Sequence, residues 1–238
     1  MINTTPDDAE LRSLDPFDAL DQEAERLDEF FSTLQDTDWG RPTRCDAWSI
    51  RDVLAHLLAS EAYHHACLDG TVAAFNEQMA TSGGTNLEQF NAIGVAKLSD
   101  RSPAELLAEW RVANAETRRR FRERDEGVVD TSVGDYPCRW QAFHVASELA
   151  THADDIGVAI TADEVHERRA WRAAISRFAL AETKPEVAVT VEDGRTRIRG
   201  RGVDVVVDDE EIVEGVAARL DDSSPLDGRA RKLLSAMP

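Results

Sequence analysis

Residues 49–57, SIRDVLAHL, decide the fold of the first half of the chain. Ser49 is a preferred helix N-cap, and Asp52 follows three residues later, at the spacing of a capping box. The apolar residues that follow recur at three- and four-residue steps, which predicts a helix with one buried face. His56 lies within that apolar face. The segment therefore predicts a core helix that carries a histidine into a helix bundle.

Residues 147–156, SELATHADDI, form a second informative segment. Glu148 and His152 are four residues apart, so in a helix they point to the same side. With His56 from the first helix, they offer two histidines and one carboxylate, the layout of a catalytic zinc site with its fourth position open to water or a thiol. Each of these residues alone is more typical of a core histidine or a surface pair. A buried carboxylate without a partner is costly, however, and a metal ion would supply that partner.

Two neighbours leave the ligand set open. His144 lies one helical turn before Glu148 and could replace it as a ligand, which would leave Glu148 as a base. Asp155 could hold the second ring nitrogen of His152, as outer carboxylates often do, or it could be an ordinary surface acid. The metal itself is also open, because zinc, nickel, iron and manganese all accept these ligand types.

Other reactive side chains are expected to be incidental. His64 and His65 lie too far along the first helix from His56 to share its metal, and we expect them at the surface or at the bundle end. The three cysteines are widely spaced and odd in number, which argues against a disulfide framework and favours reduced thiols: Cys45, Cys67 and Cys138. They could be ligands or nucleophiles, since Cys45 and Cys138 lie just ahead of the helices with the candidate ligands, but structural or incidental thiols are expected.

Periodicity and capping signals predict four long helices, which indicate a bundle over residues 10–162. We expect one helix from about Phe17 to Leu34, with Pro16 at its first turn, and a shorter helix over 87–98. The other three long helices are expected over 49–79, from Ser102 past Phe121, and over 140–162, with a loop at 127–137 before the last.

Residues 165–238 predict a small α+β domain, so the fold class is α+β. A helix over 165–182 precedes strands at 186–192, 196–201 and 203–207, and two helices at 210–220 and 228–237. Asp193-Gly194 is a hairpin signal. Four alternating arginines would share one strand face, which would either be solvated or bind an anionic substrate: Arg195, Arg197, Arg199 and Arg201.

Composition excludes several classes of function. The formal net charge of −19 argues against nucleic-acid binding, which needs lysine and arginine at the phosphates. No apolar run approaches the length of a membrane span, and the acidic N-terminus lacks a signal-peptide pattern. We expect a cytoplasmic protein.

Several motifs together resemble a known family. Trp39, residues 42–57, residues 102–110 (SPAELLAEW) and residues 148–156 (ELATHADDI) are similar to the mycothiol-dependent maleylpyruvate isomerase family, whose members are DinB-like metal-binding four-helix bundles of actinobacteria. The resemblance covers residues 10–162 and implies a DinB-like bundle followed by a separate C-terminal domain.

The resemblance also implies a chemistry. A divalent metal, usually zinc, would be held at His56, Glu148 and His152, which would also be the catalytic residues. Mycothiol, a low-molecular-weight thiol, would be the cosubstrate, and the partner would be an electrophilic small molecule. The implied reactions are S-transfer or conjugation, and thiol-assisted cis-trans isomerisation, in a monomer or homodimer.

Two other classes of function stay open. The bundle could be a non-catalytic, metal-binding regulatory or partner-binding protein, whose C-terminal domain and acidic surface would bind the partner. Alternatively, the metal could activate water for hydrolysis with Glu148 or His144 as the base. Turnover without a thiol would favour hydrolysis, and the absence of turnover with any thiol would favour the binding protein.

Overall fold

The computed structural model describes residues 6–237, which divide into two compact units. Residues 16–158 form one unit, and residues 6–15 together with 159–237 form the other. The predicted bounds of 10–162 and 165–238 differ from this division at the N-terminus, because the short helix α1 (Ala9–Arg12) packs on α8 (Val165–Thr183).

The first unit is built on the four long helices α2 (Pro16–Thr33), α3 (Ile50–Asp69), α6 (Pro103–Arg124) and α7 (Cys138–Asp155). Helix α2 packs on α7, α3 packs on α6, and α6 contacts both α2 and α7. The largest fully buried side chains of this unit lie between these helices and include Phe31, Leu54, Trp110 and Phe143. Burial of such aromatic and aliphatic side chains stabilises the bundle by roughly 1.5–3 kcal/mol each.

Local signals define several helix ends as expected. Ser49 with Asp52, and Ser102 with Glu105, both form capping boxes, at the starts of α3 and α6. Pro16 occupies the first position of α2, as predicted. The predicted piece at 87–98 is α5 (Leu87–Lys97), which begins at the N-cap Asn86 and packs on α3.

Three predicted bounds in this unit are wrong. Helix α3 ends at Asp69 rather than near residue 79, because Gly70 adopts a left-handed conformation with φ 68°, and a separate helix α4 (Val72–Thr81) follows. The predicted loop at 127–137 contains an antiparallel hairpin of β1 (Val128–Thr131) and β2 (Gly134–Pro137). Helix α7 ends at Asp155 rather than 162, shortly before Gly157 with φ 77°.

The second unit contains a three-stranded antiparallel sheet in the order β3 (Ala188–Glu192), β4 (Arg195–Gly200) and β5 (Val203–Val207). Both hairpins turn through two residues with positive φ, Asp193-Gly194 and Arg201-Gly202, as type I′ turns require. Ile198 of β4 is fully buried and shares a core with helices α8, α9 (Asp209–Val216) and α10 (Gly228–Leu234). The predicted α+β character of this region is confirmed.

The alternating arginines of the sheet form ion pairs. Arg197 reaches both carboxylate oxygens of Asp204 at 2.9 Å, and Arg199 contacts the same carboxylate. Arg195 lies 3.8 Å from Glu211, and Arg201 pairs with Glu186. The three arginines of β4 are therefore paired with acids, and so is Arg201, which lies in the turn after β4 rather than on the predicted strand face.

None of the helices within residues 6–237 is both long enough and apolar enough to cross a bilayer.

Candidate metal centre

Helices α3 and α7 bring the three predicted ligands together. His56 Nε2 lies 3.1 Å from Glu148 Oε1, and the rings of His56 and His152 meet edge to face with their centroids 4.8 Å apart. One ligand atom from each of the three residues lies within 4.8 Å of the other two. Two imidazoles and a carboxylate at this separation match the donor set of a zinc site, so the residues present fit a divalent cation.

The surroundings restrict access of water to the cluster. His56 and His152 keep only 4% and 8% of their exposure, while the Glu148 side chain keeps 31%. The Trp48 ring lies beside His56 with a centroid distance of 5.0 Å. Glu148 therefore lies at the accessible side of the cluster, with the two histidines beneath it.

Burial and charge set the protonation of the cluster without a metal. Burial is the main reason that the pKa of His56 is lowered, and the charge of His152 adds to the effect. Burial alone would raise the pKa of Glu148, but the hydrogen bond and charge of His56, with the charges of His64 and His152, lower it to about 2. The carboxylate is therefore ionised at neutral pH, as a metal ligand must be.

Asp155 orients His152 from the far side of its ring. The Oδ2 atom of Asp155 lies 3.1 Å from His152 Nδ1 and accepts a hydrogen bond from Cys45 Sγ at 3.0 Å. Burial would lower the pKa of His152, but Asp155, Cys45 and Glu148 outweigh it and raise the pKa to about 9. Because Nδ1 is engaged by Asp155, Nε2 is the nitrogen left for a metal. From the sequence, Asp155 was expected to contact a ligand histidine, to bond a loop or to be a surface acid, and the structure has the first two, through His152 and through Cys45 of the loop before α3.

The segment before α3 places Cys45 beside this cluster, which was the less favoured of the roles considered from the sequence. The backbone N–H of Arg44 donates to the carbonyl of Asp155 at 3.0 Å, which ties the segment to the end of α7. Cys45, His152 and Asp155 form a second group whose ligand atoms are close enough to hold a cation. Cys45 was expected to be incidental, but its thiol belongs to the shell around His152.

His144 lies elsewhere. A hydrogen bond of 3.0 Å joins its Nε2 atom to the hydroxyl of Tyr136 on strand β2. Among the described residues, the groups with metal-ligand spacing do not include His144. The geometry therefore favours Glu148 over His144 as the third ligand.

The expected surface position of His64 is wrong, although among the described residues the groups with metal-ligand spacing leave it out, as expected. It is 4% exposed rather than a surface residue, and its Nε2 atom lies 3.8 Å from Glu148 Oε2. The sequence did contain a pattern that indicates this position: His56, Ser60 and His64 follow at four-residue steps and so lie on one face of α3. His65, by contrast, is directed away and contacts the carbonyl of Ala113 at 3.2 Å.

The fold is that of a DinB-like four-helix bundle with an appended α+β unit, and the bundle carries a candidate metal centre. The model of the mycothiol maleylpyruvate isomerase N-terminal domain matches residues 20–157, more than half of the chain. The chain belongs to this family, and the resemblance seen in its sequence is confirmed.

Solved structures agree with the family at the level of the fold. The crystal structure of the mycothiol-dependent maleylpyruvate isomerase superposes with a TM-score of 0.62 at 18% identity, covering 87% of this chain and 89% of that chain. A histidine-to-alanine mutant of the mycothiol-dependent maleylpyruvate isomerase gives a TM-score of 0.60 with the same identity and coverage. No curated protein sequence matches the chain.

Proposed function

We propose that this protein is a divalent-metal enzyme, with zinc as the metal, that uses a low-molecular-weight thiol to attack an electrophilic small molecule. The observation that carries the proposal is the convergence of His56, Glu148 and His152 within 4.8 Å of one another. Family membership supports mycothiol as the thiol. The three cysteines, all among the described residues, are reduced, which fits the cytoplasm as the compartment.

His56, Glu148 and His152 would hold the cation, and their count leaves a fourth position for an external ligand. A bound divalent cation lowers the pKa of a coordinating thiol and so supplies a thiolate at neutral pH. Asp155 keeps a proton on Nδ1 of His152, which directs the opposite nitrogen to the cation. Ser60 donates a hydrogen bond of 3.2 Å to Glu148 Oε1 and so limits the movement of the carboxylate.

Two reactions would be open to such a thiolate. In isomerisation, the sulfur would add to one carbon of a cis double bond that is conjugated to a carbonyl group, and the π electron pair would move onto the carbonyl oxygen. After rotation about the resulting single bond, that pair would re-form the double bond in the trans form as the sulfur leaves with its own electron pair. In S-transfer, the sulfur stays on the carbon and a leaving group departs with the electron pair. Isomerisation of maleylpyruvate is supported by the solved isomerase of the same fold. We propose S-transfer as the broader activity, because the sheet arginines that could have gripped a dianion are paired with acids.

The test is turnover by the zinc-loaded protein with mycothiol and either maleylpyruvate or monobromobimane, a thiol-reactive electrophile. Activity that needs both zinc and mycothiol and disappears in His152→Ala is expected. His65→Ala is the matched control, because that histidine lies on the same helix as His56 and contacts a backbone carbonyl of α6. Zinc binding without turnover by any thiol would favour the non-catalytic binding protein, and turnover without thiol would favour hydrolysis.

A further inference from the structure

The two carboxylate oxygens of Glu148 face different histidines of α3. Oε1 receives the hydrogen bonds from His56 Nε2 and Ser60 Oγ, at 3.1 and 3.2 Å. Oε2 faces His64 Nε2 at 3.8 Å, within the range of an ion pair but longer than a hydrogen bond. The two oxygens of Glu148 therefore have different partners: Oε1 lies in the candidate metal centre, and Oε2 is directed toward His64.

Glu61 forms an ion pair with His64 from its other side. His64 Nδ1 lies 3.5 Å from Glu61 Oε2 without meeting the criteria of a hydrogen bond, and both side chains are almost completely buried. Glu61 is itself anchored, because Asn114 Nδ2 donates to Oε1 at 2.9 Å and the Thr117 hydroxyl donates to Oε2. The imidazole of His64 thus lies between the carboxylates of Glu61 and Glu148, and helix α6 fixes Glu61.

This arrangement is costly for a bundle core. Removal of a carboxylate from water is strongly unfavourable, and apolar residues of similar volume would often give equal or greater stability. Glu61 is 2% exposed and lies in the polar chain that leads through His64 to Glu148. Its position next to a ligand of the candidate metal centre suggests a role in that centre.

We propose that His64, held by Glu61, is a positioning residue that keeps Glu148 Oε2 turned away from the metal centre, so that Oε1 alone faces His56. The proposal rests on the proposed metal site and deepens it. A carboxylate that offers one oxygen occupies one coordination position and leaves the next one to an external thiol. Without His64, Glu148 is able to turn both oxygens toward the cation and compete with that thiol.

The test compares zinc affinity and cobalt spectra of the full-length protein with those of His64→Gln and Glu61→Gln. Affinity is measured by competition with a chromophoric chelator. Because Glu148 without its His64 partner can offer a second oxygen to the cation, we expect the zinc affinity of both variants to be at least that of the wild type. In the cobalt-loaded variants, the visible bands should weaken as the coordination number rises, and mycothiol should produce less thiolate charge-transfer absorption. His65→Gln, on the adjacent residue, should match the wild type in every measurement.

The outcomes separate this proposal from the metal site itself. Wild-type cobalt spectra in both variants would overturn the positioning role, even if their melting temperatures fall, because a purely structural pair affects stability alone. If His64→Gln fails to fold, Glu61→Gln decides the question, since it preserves the shape of the side chain. If the wild-type protein binds neither zinc nor cobalt, the metal site fails, and the positioning role fails with it.

Discussion

Replacement of Asp155 by asparagine tests the geometry around His152. The Asp155 side chain is fully buried, and its Oδ2 atom is the partner of both His152 Nδ1 and the Cys45 thiol. Asparagine preserves the shape but removes the charge, and its amide can present an N–H to the ring nitrogen. The histidine then loses the partner that directs its other nitrogen toward the cation.

The expected loss in zinc affinity is about 10–100-fold, which corresponds to about 1.4–2.7 kcal/mol. The metal-free protein should also lose about 1.5–3 kcal/mol of unfolding free energy, the usual size for hydrogen bonds to a charged group. Competition with a chromophoric chelator measures the first quantity, and urea unfolding measures the second. Asp154→Asn, one residue earlier on the same helix, is the matched control. Wild-type zinc affinity in Asp155→Asn would refute the reasoning, whatever happens to stability.

Three further predictions concern thiols, pH and the backbone. Burial raises the pKa of both Cys67 and Cys138 from 9.0 to about 11, so alkylation by iodoacetamide at neutral pH should be about a hundredfold slower than for an exposed cysteine, as peptide mass spectrometry would show. Burial would lower the pKa of His64, but Glu61 and Glu148 outweigh burial and raise this pKa. The protonated His64 therefore stabilises the fold fully below pH 6.5, and this stabilisation is lost as the pH rises through the raised pKa. The melting temperatures of metal-free wild type and His64→Gln should therefore converge as the pH is raised above 6.5, and a constant gap would contradict this. Gly70→Ala should lower the free energy of unfolding in urea by about 1 kcal/mol, because Gly70 has φ 68°. Gly40→Ala should be near neutral, because an added Cβ meets nothing within 4 Å there and φ is not left-handed.

The sequence was sufficient for the parts of the fold that depend on local chemistry. The capping boxes at Ser49 and Ser102 and the turn at Asp193-Gly194 each use only a few consecutive residues, and the structure contains all three. The ends of α3 and α7 were harder to predict. One left-handed glycine at residue 70 stops α3, although the apolar pattern continues beyond it, so periodicity alone predicted a longer helix.

In the candidate site, too, the residues set by local patterns could be predicted, and those set by contacts between distant segments could not. His56, Glu148 and His152 could be grouped because Glu148 and His152 follow helical spacing and the family motifs supply the link to His56. Cys45 could not be placed, because it lies in an irregular segment whose path depends on a backbone contact with the end of α7. His64 was misplaced because its role depends on Glu148, a residue of another helix.

The most direct test of the central claim is the zinc content of the purified protein by elemental mass spectrometry, with wild type beside His152→Ala and His65→Ala. The proposed site predicts about one zinc per chain in the wild type and in His65→Ala, and almost none in His152→Ala. No zinc in the wild type after reconstitution, or equal zinc in all three proteins, would contradict the claim that His56, Glu148 and His152 form a metal centre.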